Sequence, residues 1–188
     1  MKKLLLFLFL FAVFSLTAQR TQKRIALVIG NANYSNAQLD NPINDANLME
    51  RTLRKLNFEV TKITNANKTQ MEEAVINFTE KIGDYDLSLF YYAGHGIQIE
   101  GKNYLIPIGA DLPKKSYVKI RAFDIELLNE EFAKNWQNAN IMILDACREN
   151  PYRSWMRGGE RGFKRINPSV GTLIAFATSE GGVADDGE

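Results

Sequence analysis

The sequence predicts an α/β domain: a mainly parallel sheet covered by helices on both faces, with a small hairpin added beside it. Three observations carry that expectation. Residues 24–30, 87–93 and 141–144 are short, nearly continuous apolar runs, as strands buried on both faces are. Stretches with apolar residues every three or four positions separate them, so strand and helix signals alternate along the chain, which is the pattern of a parallel sheet with helical crossovers. Finally, two of the apolar runs end in polar, chemically capable residues, and the carboxyl edge is where open α/β sheets place their chemistry.

The chain opens on Met1-Lys2-Lys3, an eleven-residue apolar run (4–14) and Ser15-Leu16-Thr17-Ala18-Gln19. The run is too short to span a bilayer, and with its basic start and small-residue end it reads as a secretory signal peptide over residues 1–18, with Ala18 the last residue removed. No cysteine follows it, so no lipid anchor is indicated. The remaining 19–188 is of single-domain size. Without Lys2 and Lys3 it carries 21 basic and 22 acidic side chains, close to neutrality. That balance gives no general attraction to nucleic acid or to anionic membranes. The expected destination is outside the cytoplasm, in the periplasm or beyond the cell.

Residues 24–30 form the first predicted strand, and residues 31–41 a polar loop from its carboxyl end. Asn41-Pro42 then starts a helix, with Asn41 as cap, Pro42 in the first turn, and Ile43, Ala46, Met49, Leu53 and Leu56 on one apolar face. Residues 58–64 alternate as a second strand. A second amphipathic helix is expected over 69–82, ended by Gly83, and the third strand over 87–93. Residues 97–100 and 103–108 flank Gly101-Lys102 as a hairpin. Asp124 is expected to cap a helix to about residue 135, followed by a strand to Asp145 and a fifth over 171–178. Between the last two lies a long irregular stretch, 148–170, rich in arginine, glycine and asparagine; loops of that length in a compact domain are usually functional or mobile.

The chemistry concentrates in two segments. Asn140 to Asn150 contains Asp145 and the single cysteine, Cys147; Tyr91 to Gly96 contains the single histidine, His95, 52 residues upstream. An exported chain gives an unpaired thiol no intramolecular partner and exposes it to oxidation. Free cysteine is also commonly just a small buried hydrophobe, and a lone histidine is commonly structural. Together at matching strand ends they suggest nucleophilic catalysis. A thiol with an ordinary pKa of about 8.5 is mostly protonated at neutral pH and needs a base or a positive field beside it. Imidazole supplies both, and Gly96 and Cys147 N–H are the natural oxyanion donors.

Tyr92-Ala93-Gly94-His95-Gly96 paired with Asp145-Ala146-Cys147-Arg148 resembles the caspase-like cysteine peptidases, specifically their bacterial metacaspase-like branch. The resemblance extends over roughly 24–188. Asp145 replaces the glutamine of the caspase signature and Glu149 its following glycine. The resemblance implies a caspase-like fold and a cysteine endopeptidase in which Cys147 is the nucleophile and His95 the general acid and base. It also makes Asp45 and Asp145 the substrate pocket. An acid two residues before the cysteine implies cleavage after arginine or lysine, since paired carboxylates favour a guanidinium. Asp45 has a simpler reading too, as a first-turn acid favoured by the helix dipole.

The expected partners are polypeptides with basic residues. The segment after Cys147, carrying Arg153, Arg157, Arg161, Lys164 and Arg165, is a candidate for self-cleavage. No cofactor is expected: calcium, which many metacaspases require, finds no supporting acidic cluster, since Lys114, Lys115, Lys119 and Arg121 follow Asp111 and Ser154 offers no carboxylate. One cysteine and one histidine cannot make a zinc site. The resembled family usually continues beyond the fifth strand, so a partner chain or a further carboxyl-terminal segment is expected to complete the cleft. The alternative reading is a non-catalytic caspase-like module that binds peptides or assembles with partners.

Overall fold

The computed structural model describes residues 21–147 and 163–177. The expected signal peptide, Arg153, Ser154, Arg157, Arg161 and the terminal residues from 178 lie outside them. Among the described residues, no helix is long and apolar enough to cross a membrane.

Five parallel strands run in the spatial order β2-β1-β3-β6-β7: β1 (Arg24–Gly30), β2 (Phe58–Thr64), β3 (Leu87–Ile99), β6 (Ala139–Cys147) and β7 (Thr172–Phe176). The antiparallel β4 (Lys102–Leu105) and β5 (Phe123–Asp124) continue the sheet from the distal part of β3. Period-two alternation divides the strand side chains between two layers. Ala26, Val28, Leu89, Tyr91 and Ala93 pack under α1 (Pro42–Lys55), against its Ala46 and Leu53. Leu27, Ile29, Phe90, Tyr92, Met142 and Leu144 pack on the other face, against Met71, Val75 and Phe78 of α2 (Lys68–Thr79). Leu128 and Phe132 join that layer from α4 (Glu126–Lys134), which follows α3 (Lys115–Arg121). Leu27, Val28 and Ile29 are wholly inaccessible, each burial contributing about 1.5–3 kcal/mol before the entropy of ordering is set against it.

The α/β architecture, with helices on both faces and the added hairpin, is as expected; several boundaries are not. β3 does not end at Ala93. It parts from β1 there, where Asn31 N–H bonds Ala93 O, and continues through His95 to pair with β4. Gly94, at φ 153°, permits the departure. Asn41 makes no side-chain capping bond to α1. The second helix starts at Lys68 under a reciprocal cap, in which Asn67 Oδ1 accepts from Gln70 N–H and Gln70 Oε1 accepts from Asn67 N–H. It stops at Thr79, and Gly83 lies in a separate 3₁₀ turn, Ile82–Asp84. Asp124 belongs to β5, but its carboxylate still accepts the Glu126 N–H, so it serves α4 from one position further out. The fourth strand extends two residues past Asp145 to Cys147.

Candidate active site

β1 and β3 are neighbours, but at their carboxyl ends the chain turns from β1 toward α1 on one face and runs on from β3 within the sheet to pair with β4. Such a division opens a crevice at the carboxyl edge. The loop from β1 borders it and is pinned firmly. Asn31, wholly buried, accepts the Ala66 N–H at 2.9 Å through Oδ1 and donates through Nδ2 to Ala66 O and Ile106 O. Asn65 Oδ1 receives the N–H groups of Ala32 and Asn33, and Leu39 N–H closes back on Ala32 O.

That loop aims Ala37 O at His95. The imidazole is 1 % exposed, and its Nε2 lies 2.8 Å from the carbonyl. A carbonyl only accepts, so Nε2 carries the proton in the neutral ring and Nδ1 has the lone pair. In the parallel register His95 pairs with Cys147 on the adjoining β6. The two residues singled out by sequence are therefore direct cross-strand neighbours, at the last paired position of β3 and β6. The Cys147 side chain lies outside the described structure; its backbone position is what fixes the juxtaposition.

Gly96 follows His95 and stands opposite Leu105. Ile106 N–H bonds His95 O on the β4 side. Backbone direction alternates along a strand, so the Gly96 N–H points away from β4, toward the side on which β6 lies. A Cβ at Gly96 would meet Phe163 Cζ at 2.1 Å and Ala146 Cβ at 3.0 Å, so the glycine is also a packing requirement.

Asp145 is half-buried and accepts a bond from Tyr91 Oη at 3.2 Å. Tyr91 packs in the layer beneath α1, so Asp145 lies on the α1 face. Asp45 is half-buried in the first turn of α1, its N–H on Asn41 O. The start of that helix rests on the carboxyl end of β1, where a Cβ on Gly30 would lie 2.5 Å from Pro42 O. Both acids thus occupy one face and one edge of the sheet. Of the loop cations, Lys164 and Arg165 are exposed. Among the described residues no three His, Cys, Asp or Glu side chains gather as a metal-ligating group.

A profile of the caspase domain (Peptidase_C14) matches residues 23–188. The chain belongs to the caspase-domain family. Among curated proteins it is 31 % identical over 127 residues to human mucosa-associated lymphoid tissue lymphoma translocation protein 1, covering 67 % of this chain. The mouse homolog is 30 % identical over 127 residues, with the same coverage. The matched stretch of this chain spans 15 % of the length of either relative. Among solved structures, the Drosophila initiator caspase Dronc superposes with a TM-score of 0.60 at 13 % identity, over 84 % of this chain and 57 % of that one. Pro-sf-caspase-1 gives 0.60 at 17 % identity, over 86 % and 64 %. These likenesses agree with the parallel sheet and flanking helices described above.

Sequence reasoning missed Tyr34, Ala37, Tyr91 and Tyr92. Tyr91 and Tyr92 left a signal, because hydroxyls in a buried strand demand partners, whereas Tyr34 lies in a loop. Ala37 left none, since it acts through its backbone carbonyl.

Proposed function

We propose that this caspase domain is a cysteine endopeptidase cleaving after arginine or lysine, with Cys147 as nucleophile and His95 as its acid and base. The observation that carries the reading is the cross-strand pairing of His95 with Cys147, together with the Nε2 contact to Ala37 O that leaves Nδ1 as the basic atom. Nδ1 takes the thiol proton as sulfur attacks the scissile carbonyl. The N–H groups of Gly96 and Cys147 receive the oxyanion. The imidazolium then returns its proton to the leaving amine, and water releases the acyl group by the same path in reverse.

Asp145, supported by Tyr91, and Asp45 on the same face form the basic-residue pocket in this reading. Residues 1–18 direct export, so the enzyme works in the periplasm or outside the cell on polypeptides with basic residues, without nucleic acid or membrane partners and with no cofactor. Within the segment after Cys147, Lys164 is a poor self-cleavage site: its N–H and C=O are both held by the Asn103 side chain, at 2.8 and 2.7 Å. Processing is expected after Arg153, Arg157, Arg161 or Arg165, and intact-mass analysis of active protein beside Cys147→Ala checks it.

The main test is hydrolysis of fluorogenic peptides bearing arginine, lysine, aspartate or asparagine before the scissile bond. Cleavage after arginine or lysine that disappears in Cys147→Ala supports the proposal. Cleavage after aspartate overturns the pocket. No cleavage by a folded chain points instead to a peptide-binding or assembly module.

A further inference from the structure

The backbone N–H and C=O of His95 are held by a pair of tyrosines that do not belong to the dyad. Tyr34, in the loop after β1, accepts the His95 N–H on its hydroxyl oxygen at 3.0 Å and donates to Ile106 O at 3.0 Å. Its ring lies 4.5 Å from the imidazole, tilted by 54°. Tyr92, three residues before the histidine, donates to His95 O at 2.8 Å. The two hydroxyls lie 3.2 Å apart, both rings buried.

Gly94 supplies an independent sign that the arrangement is built in. A Cβ there would meet Tyr92 Oη at 2.7 Å and Tyr34 Oη at 2.8 Å, at a φ of 153° that side chains rarely adopt. The glycine before the histidine thus makes room for the hydroxyl pair. Tyr34 also shares its loop with Ala37, whose carbonyl sets the imidazole tautomer.

We infer that Tyr34 is a positioning residue for His95: its hydroxyl bonds and ring hold the His95 peptide, the Ala37 carbonyl and the imidazole in one geometry. This rests on the Cys147–His95 reading for its effect on rate but not for its effect on the ring. Without the hydroxyl, His95 N–H loses its acceptor in a buried site, and the loop carrying Ala37 loses its anchor on Ile106 O. A displacement of about 1 Å at reacting groups can cost on the order of a hundredfold in rate.

His95 is the only histidine, so its ring nitrogens give unambiguous ¹⁵N signals in the intact chain. In the wild type the neutral ring is expected as the Nε2–H form. Tyr34→Phe, which keeps the ring, is expected to raise the Nδ1–H form and to lower kcat about ten- to a hundredfold with KM little changed. A Tyr34→Phe protein with a lower melting temperature but wild-type tautomer and kcat would overturn the inference, since a purely structural tyrosine gives that result. Should Tyr34→Phe fail to fold, Tyr92→Phe removes the hydroxyl beside it, which bonds Tyr34 Oη and His95 O, and is read in the same way: an unchanged tautomer refutes the hold by the hydroxyl pair. If the wild type cleaves no peptide, the peptidase reading fails, while the ring signals still decide whether Tyr34 positions His95.

Discussion

At Gly96 a single missing atom serves packing, in the same residue whose N–H is the proposed oxyanion donor. The space a Cβ would need is filled by the Phe163 ring edge, whose Cε1 is also only 2.5 Å away. A phenylalanine only 4 % exposed cannot swing aside as a flexible chain end would. Gly96→Ala is therefore expected to lose about 1–3 kcal/mol of stability, the usual cost of overpacking, and to lose activity with it. Replacing Phe163 by leucine shortens the obstacle, so Gly96→Ala with Phe163→Leu should recover part of the stability in denaturant unfolding. Strict additivity of the two losses would show that the ring is not what excludes the methyl group.

At the scale of elements, the cap of α2 and the outer face of α1 give two separable expectations. Asn67→Ala removes the acceptor for Gln70 N–H and should cost about 1 kcal/mol, measured as a shift in urea midpoint. On α1, Glu50 is bonded by Lys62 of β2 and by Arg54. The Lys62 bond, then the Arg54 bond, hold its carboxyl below the ordinary 4.5. A lowered folded-state value means stabilisation that is present above pH 4.5 and lost as pH falls through the folded value. Glu50→Gln should thus be less stable than wild type at pH 7, by about 1 kcal/mol or less for a half-buried pair at the surface. The stabilities of the two proteins should begin to approach one another below pH 4.5 and converge once pH is under the lowered folded-state value. Much at this scale was legible in advance, because β1, α1 and β2 have strong periodicity and clear punctuation. α3 was not: seven residues with only Val118 buried give too short a pattern. The run of β3 through His95 was also hidden: strands were expected over 87–93 and 97–100, and the glycines between them, Gly94 and Gly96, permit a bend and close packing within one strand. His95 and Cys147 were legible as residue types at matching strand ends, whereas the tyrosine grip on His95 depends on contacts 58 and 61 residues apart in sequence.

The proposed pocket would be a property of the whole molecule, because the two acids assigned to it come from elements that meet only through the sheet. Asp145 sits on β6 under Tyr91 of β3, and Asp45 on α1, which is seated on β1 by close contact at Gly30. If both carboxylates receive one guanidinium, each is worth more when the other is in place. Charge-assisted hydrogen bonds contribute about 1.5–3 kcal/mol apiece, so Asp45→Asn and Asp145→Asn should each lower kcat/KM for arginyl peptides by roughly ten- to a hundredfold. Asparagine keeps the shape and removes the charge. The double variant should fall short of the product of the single losses, because the first substitution already spoils the paired geometry. The Cys147 reaction with a small uncharged alkylating agent should stay near wild type in all three, separating pocket from dyad. Independent, fully multiplicative losses would place the acids in separate subsites, and an Asp45→Asn protein with undiminished arginine cleavage would return Asp45 to the role of a helix-start acid.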